Sequence, residues 1–146
     1  GEDIDLSMRI RKAGFESRLI PEAFVYHKRR VDFRKFWRQV HVFGQARVDL
    51  MRLYPEQRKL VYTLPALFVI AVVLMIAGMW VTPWSILPLA IYLAAIFFVS
   101  WAINKSLVIA ALSIVASLIQ LIGYGTGFLK SFFTQYILRK EFRSKY

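Results

Sequence analysis

Three carboxylates stand within the first five positions, Glu2, Asp3 and Asp5 of Gly1-Glu2-Asp3-Ile4-Asp5. Acids this close raise one another's pKa, which suits a general base that must take a proton near neutral pH. The same acids also fit a structural role, because negative charge at a helix N-terminus complements the macrodipole. Farther on, His27 is followed at once by Lys28, Arg29 and Arg30. A histidine can ligate a metal or make a structural contact. Three adjacent cations can clamp a phosphate or face anionic headgroups. An acidic cluster close to a membrane anchor points to chemistry at a bilayer surface, on a charged, metal-requiring donor.

The elements around these residues follow from local pattern. Ile4, Leu6, Met8 and Ile10 alternate as a strand would, but acids at the start and Arg9, Arg11 and Lys12 at the end favour a helix over 3–13. Gly14 is its stop. Ser17 to Ile20 and Ala23 to His27 read as two short strands around Pro21-Glu22. Asp32 is the expected N-cap of a helix over 32–53 carrying Phe33, Phe36, Trp37, Val40 and Phe43 on one face. Its basic flanks suit an in-plane interfacial helix or a helix packed on a catalytic domain.

Charge divides the chain. Residues 1–59 hold fourteen of the 20 Lys and Arg and eight of the nine acids, residues 60–129 hold only Lys105, and 130–146 are basic again, at net +4. With 58% hydrophobic residues and a mean hydropathy of +0.47, a membrane block fits better than buried core helices. Expected spans cover 60–81, 86–103 and 107–129, with Trp80, Trp84 and Trp101 near their ends. Length argues for three crossings. The basic tail and the glycines at 123, 125 and 127 argue instead for a break and re-entry of the third run. The basic segment before Leu60 places 1–59 on the cytoplasmic face. A net charge of +11 beside membrane spans points to anionic lipids rather than nucleic acid. The absence of Cys excludes disulfides and thiolate metal sites.

Gly1-Glu2-Asp3-Ile4-Asp5-Leu6-Ser7-Met8-Arg9, Ala13-Gly14-Phe15, Ile20-Pro21 and Val25-Tyr26-His27 form an ordered set. It closely resembles the end of the catalytic domain in family 2 glycosyltransferases, inverting enzymes of the GT-A type. The resemblance covers about residues 1–50. The apolar block that follows is similar to that of membrane-bound bacterial members. It implies an α/β fragment, the C-terminal end of a GT-A domain, followed by transmembrane helices, and a chain that is the C-terminal part of a longer enzyme. It also implies transfer of a sugar from a nucleotide-diphosphate donor to a lipid-linked or surface-glycan acceptor, at a bacterial inner membrane.

The family's Glu-Asp motif matches Glu2-Asp3, so its general base carries over to Asp3, with Glu2 and Asp5 positioning the acceptor. A His near position 27 completes the shell of a divalent metal, Mg or Mn, in related enzymes, and Lys28, Arg29 and Arg30 would hold the pyrophosphate. Processive members carry Gln-x-x-Arg-Trp after this point. Gln39-Val40-His41-Val42-Phe43 and Gln45-Ala46-Arg47-Val48 do not match it, which favours one sugar per encounter. Two rivals remain on the sequence. One is a non-catalytic membrane protein with a basic partner- or lipid-binding segment. The other is a polysaccharide synthase or flippase-like transporter, which would need charges within its spans.

Overall fold

The computed structural model describes residues 2–26 and 32–138, with the Glu2 side chain excepted. His27, Lys28, Arg29 and Arg30 lie outside the described residues, as does the tail beyond Leu138. Among the described residues five α-helices form: α1 (Glu2–Lys12), α2 (Phe33–Leu53), α3 (Leu64–Gly78), α4 (Leu87–Asn104) and α5 (Leu107–Phe132). A π-helical turn, Phe133–Ile137, extends α5.

No strand forms among the described residues, which corrects the α/β expectation. Residues 15–20 and 23–26 carry no regular structure, apart from a turn in which the Ala23 amide donates to the Ile20 carbonyl at 3.1 Å. Leu19, Val25 and Tyr26 are almost fully exposed. Alternating apolar residues become a strand only where another strand supplies the ladder, and nothing in the described chain pairs with them.

Helix α1 stops where its sequence says it should. Gly14 takes φ +82°, its amide donates to Arg11 O at 3.0 Å and the Phe15 amide to Ile10 O at 3.1 Å. These two bonds are a Schellman stop. Helix α2 begins at Asp32, whose carboxylate accepts from the amides of Arg34 (2.7 Å) and Lys35 (3.1 Å). Both amides would otherwise lack a partner in the first turn.

Of the apolar face expected on α2, Val40 is the buried member, and the helix packs through it. Val40, Gly44 and Val48, at i, i+4 and i+8, are buried, whereas Phe33, Trp37 and Phe43 stay substantially exposed. The packed face is marked by its smallest residue. A Cβ on Gly44 would land on the carbonyl oxygen of Tyr124 and 2.8 Å from the Phe128 amide nitrogen. Opposite, a Cβ on Gly127 would strike the His41 carbonyl oxygen, and one on Gly123 would sit 2.6 Å from Val40. Helices α2 and α5 therefore touch backbone to backbone, running side by side in the same chain direction. Gly125 faces another way, against the Pro65 carbonyl at the start of α3. Val48, Ala66 and Phe128 form the small buried core where α2, α3 and α5 meet.

Helix α5 runs unbroken through Gly123, Gly125 and Gly127. Each glycine weakens the helix by about 1 kcal/mol, but close packing on two sides takes up the space a side chain would fill. Polar pairs flank the same contact. His41 Nδ1 lies 3.2 Å from both the Gly123 carbonyl and the Thr126 hydroxyl, and Asp49 accepts from Gln135 and, at 3.5 Å, from Ser131.

Three stretches are long and apolar enough to cross a membrane: Leu60–Gly78, Pro83–Asn104 and Leu107–Ile137. Their large side chains point mostly outward, as lipid-facing helices require. Lys105, at φ 53°, turns α4 sharply into α5, and Ser106 caps the new helix. Ser100 and Ser113 (2.8 Å) and Tyr92 and Ser117 (3.2 Å) join α4 to α5 across that hairpin.

Candidate functional site

Helix α1 places its two described acids on opposite sides. Residues two apart on a helix are separated by about 200°, so Asp3 and Asp5 cannot share a face. Asp3 is exposed and lines a groove of about 570 Å³ together with Ser7, Arg11, Phe15, Glu16 and Ser17. Ser7 donates its hydroxyl to the Asp3 carbonyl at 2.8 Å, which orients the serine along the same wall. The Schellman stop ties the Phe15 amide to the Ile10 carbonyl, and both residues line this groove.

Asp5 is buried, at 4% exposure, and both of its oxygens are engaged. Oδ1 accepts from the Tyr54 hydroxyl at 2.6 Å, and Oδ2 pairs with Arg9 at 2.7 Å. The hydrogen bond to Asp5, together with burial, pushes the Tyr54 phenol above its ordinary value. Lys12 stands 4.5 Å from the centre of the same tyrosine ring and 3.2 Å from Glu56. These contacts fasten α1 to the end of α2 and to the turn Pro55–Gln57 that leads into the first span. Asp5 thus holds the helix while Asp3 faces the groove.

Sequence reasoning had no signal for Tyr54 as the partner of Asp5. It lies 49 residues away, and a tyrosine before a proline at a helix end is unremarkable locally. Among the described residues no group of three His, Cys, Asp or Glu side chains could hold a metal ion. His27, the metal candidate, and Lys28, Arg29 and Arg30, the pyrophosphate candidates, lie outside that description.

The family model for glycosyl transferase family group 2 matches residues 1–132, which takes in the α1 motif, the α2 helix and the apolar block together. The chain belongs to this family. No curated protein and no solved structure matches it. Membership gives glycosyl transfer as the general role.

Proposed function

We propose that this chain is the membrane-anchored part of an inverting, non-processive glycosyltransferase that moves a sugar from a nucleotide-diphosphate donor to a lipid-linked or surface-glycan acceptor. The observation that carries the reading is the division of labour on α1. Asp3 faces an open groove, while Asp5 locks the helix to the segment entering the first span.

In this reading the acceptor hydroxyl enters the groove and gives its proton to the Asp3 carboxylate. Its oxygen attacks the anomeric carbon from the face opposite the diphosphate, the bond to that diphosphate breaks, and the sugar is delivered with inversion. Glu2 helps to position the acceptor at the start of α1. Asp5, with both oxygens occupied, acts by fixing α1 rather than by touching the acceptor. Lys28, Arg29 and Arg30 would meet the leaving diphosphate. A divalent cation with His27 among its ligands would offset the charge of the leaving diphosphate. The basic segment before Leu60 would hold the site at the cytoplasmic face of a bacterial inner membrane.

The test is Asp3→Asn, assayed for transfer in membranes containing the protein. The amide keeps the shape but cannot take a proton, so transfer should fall by about 10²–10⁴-fold while donor binding persists. Retention of a third or more of the activity would refute the assignment of the base.

A further inference from the structure

The start of the first span holds a cation with no acid beside it among the described residues. Arg47, on α2, is half-buried, and its guanidinium carbon lies 4.0 Å from the centre of the Tyr62 ring. Tyr62 belongs to the 3₁₀ turn Leu60–Thr63, which opens the first candidate span. The Tyr124 hydroxyl, from α5, faces the same guanidinium and lies close to Tyr62. Three separate elements converge on one positive charge.

The acids described around it are committed elsewhere. Asp5 is taken by Tyr54 and Arg9, Glu56 by Lys12, and Asp49 by Gln135 and Ser131. Positions 43, 44, 50 and 51, which flank Arg47 at helical spacing, are Phe, Gly, Leu and Met. Taking a guanidinium partly out of water without a counter-charge is unfavourable, and two phenol rings compensate for it only in part. An anion at this position would complete the site. Its depth selects the source. Twenty helical residues cover about 30 Å, so Tyr62, in the first turn of the nineteen-residue stretch Leu60–Gly78, stands at its boundary. That is headgroup level. Arg58 and Lys59, next to the same turn, add positive charge there.

We propose that Arg47, framed by Tyr62 and Tyr124, binds the phosphate of a membrane lipid, and that in the transferase reading above, on which this second part rests, the lipid is the acceptor. The planar guanidinium presents paired N–H donors to two phosphate oxygens. The rings pack against the first carbons of the lipid tail, and the outward-facing apolar residues of α3 continue that surface into the bilayer. Held by its phosphate at Arg47, the lipid would present its head on the side where α2 meets α1.

The experiment is an equilibrium competition on the whole protein in non-ionic detergent, with labelled farnesyl phosphate as probe. Farnesol, inorganic phosphate and phosphatidylglycerol are the competitors. Farnesyl phosphate should compete at least about tenfold better than farnesol or inorganic phosphate, since both the charge and the tail contribute. Arg47→Gln should weaken its binding by about tenfold or more, and Arg47→Lys by less, because lysine keeps the charge but loses the fork. Equal competition by farnesol, or an unchanged affinity in Arg47→Gln, would overturn the phosphate site. Inorganic phosphate competing as well as farnesyl phosphate would overturn the lipid as its source. Phosphatidylglycerol competing equally would overturn the acceptor assignment. If Arg47→Gln fails to fold, the comparison of farnesyl phosphate with farnesol on the unmodified protein still decides. The readout is binding, so it stands or falls independently of transfer by Asp3→Asn.

Discussion

Gly127→Ala tests the architecture where its geometry is tightest. In an open helix interior this change stabilises by about 1 kcal/mol, because alanine restricts the unfolded backbone and is the better helix former. Here the added Cβ would land on the carbonyl oxygen of His41, and the neighbouring His41 carbonyl carbon and Cα would stand 2.9 and 3.2 Å away. All three are backbone atoms, so no side chain can rotate aside and α2 must move away from α5. Overpacking of this kind costs about 1–3 kcal/mol, and a backbone obstacle belongs at the upper end. The net expectation is a loss of about 1–2 kcal/mol, or roughly 3–8 °C in the thermal midpoint for a chain of this size. Separation of the helices would also lengthen the His41 contacts to Gly123 and Thr126, now 3.2 Å each. The assay is thermal unfolding of the purified protein in detergent. Gly44→Ala, which meets α5 from the other side of the same contact, should act alike. The double variant should lose less than the sum, because the first substitution already parts the helices. A midpoint for Gly127→Ala equal to or above that of the unmodified protein would refute the close-contact account and leave the glycines unexplained.

Two further predictions concern how α1 and α2 are held. Tyr54→Phe removes the hydrogen bond to Asp5 and should lower the thermal midpoint at neutral pH. Because that bond raises the phenol above its ordinary value of 10.0, the stability it gives is complete below pH 10 and is lost as pH rises through the higher folded value. The gap between the two proteins should stay constant from pH 7 to about 9 and close above 10; a gap that persists at higher pH would show that the hydroxyl is not the cause. Asp32→Ala should increase hydrogen exchange at the amides of Arg34 and Lys35. The amides of Lys35 and Arg34 hold the Asp32 carboxyl below its ordinary 3.8, so this contribution is present above pH 3.8 and is lost as pH falls through the lower folded value. Exchange that is unchanged at pH 7 would show that the cap is not needed.

What the sequence determined by itself is whatever depends on neighbours along the chain. Charge-free runs of about twenty residues mark the apolar spans because hydrocarbon tolerates no unpaired charge. Asp32 and Gly14 mark a helix start and a helix end because the unsatisfied amides and carbonyls lie within one turn of them. The ordered acidic and aromatic set at the start was enough to indicate the family. Only the tertiary structure decided the rest. It gave Asp3 and Asp5 different surroundings, because Tyr54 lies on one side of α1 and a groove on the other. It decided between the two readings of Gly123, Gly125 and Gly127, an unbroken helix or a break, since a glycine favours either outcome and the facing backbone of α2 and α3 selects the packed helix. It left residues 17–20 and 23–26 without strand structure, because an alternating pattern specifies which face is apolar but cannot supply the partner whose hydrogen bonds make a strand. And it gathered Arg47, Tyr62 and Tyr124, residues with no common period and up to 77 positions apart, around one charge, because packing of α5 on α2 and α3 acts through space and leaves no trace in local spacing.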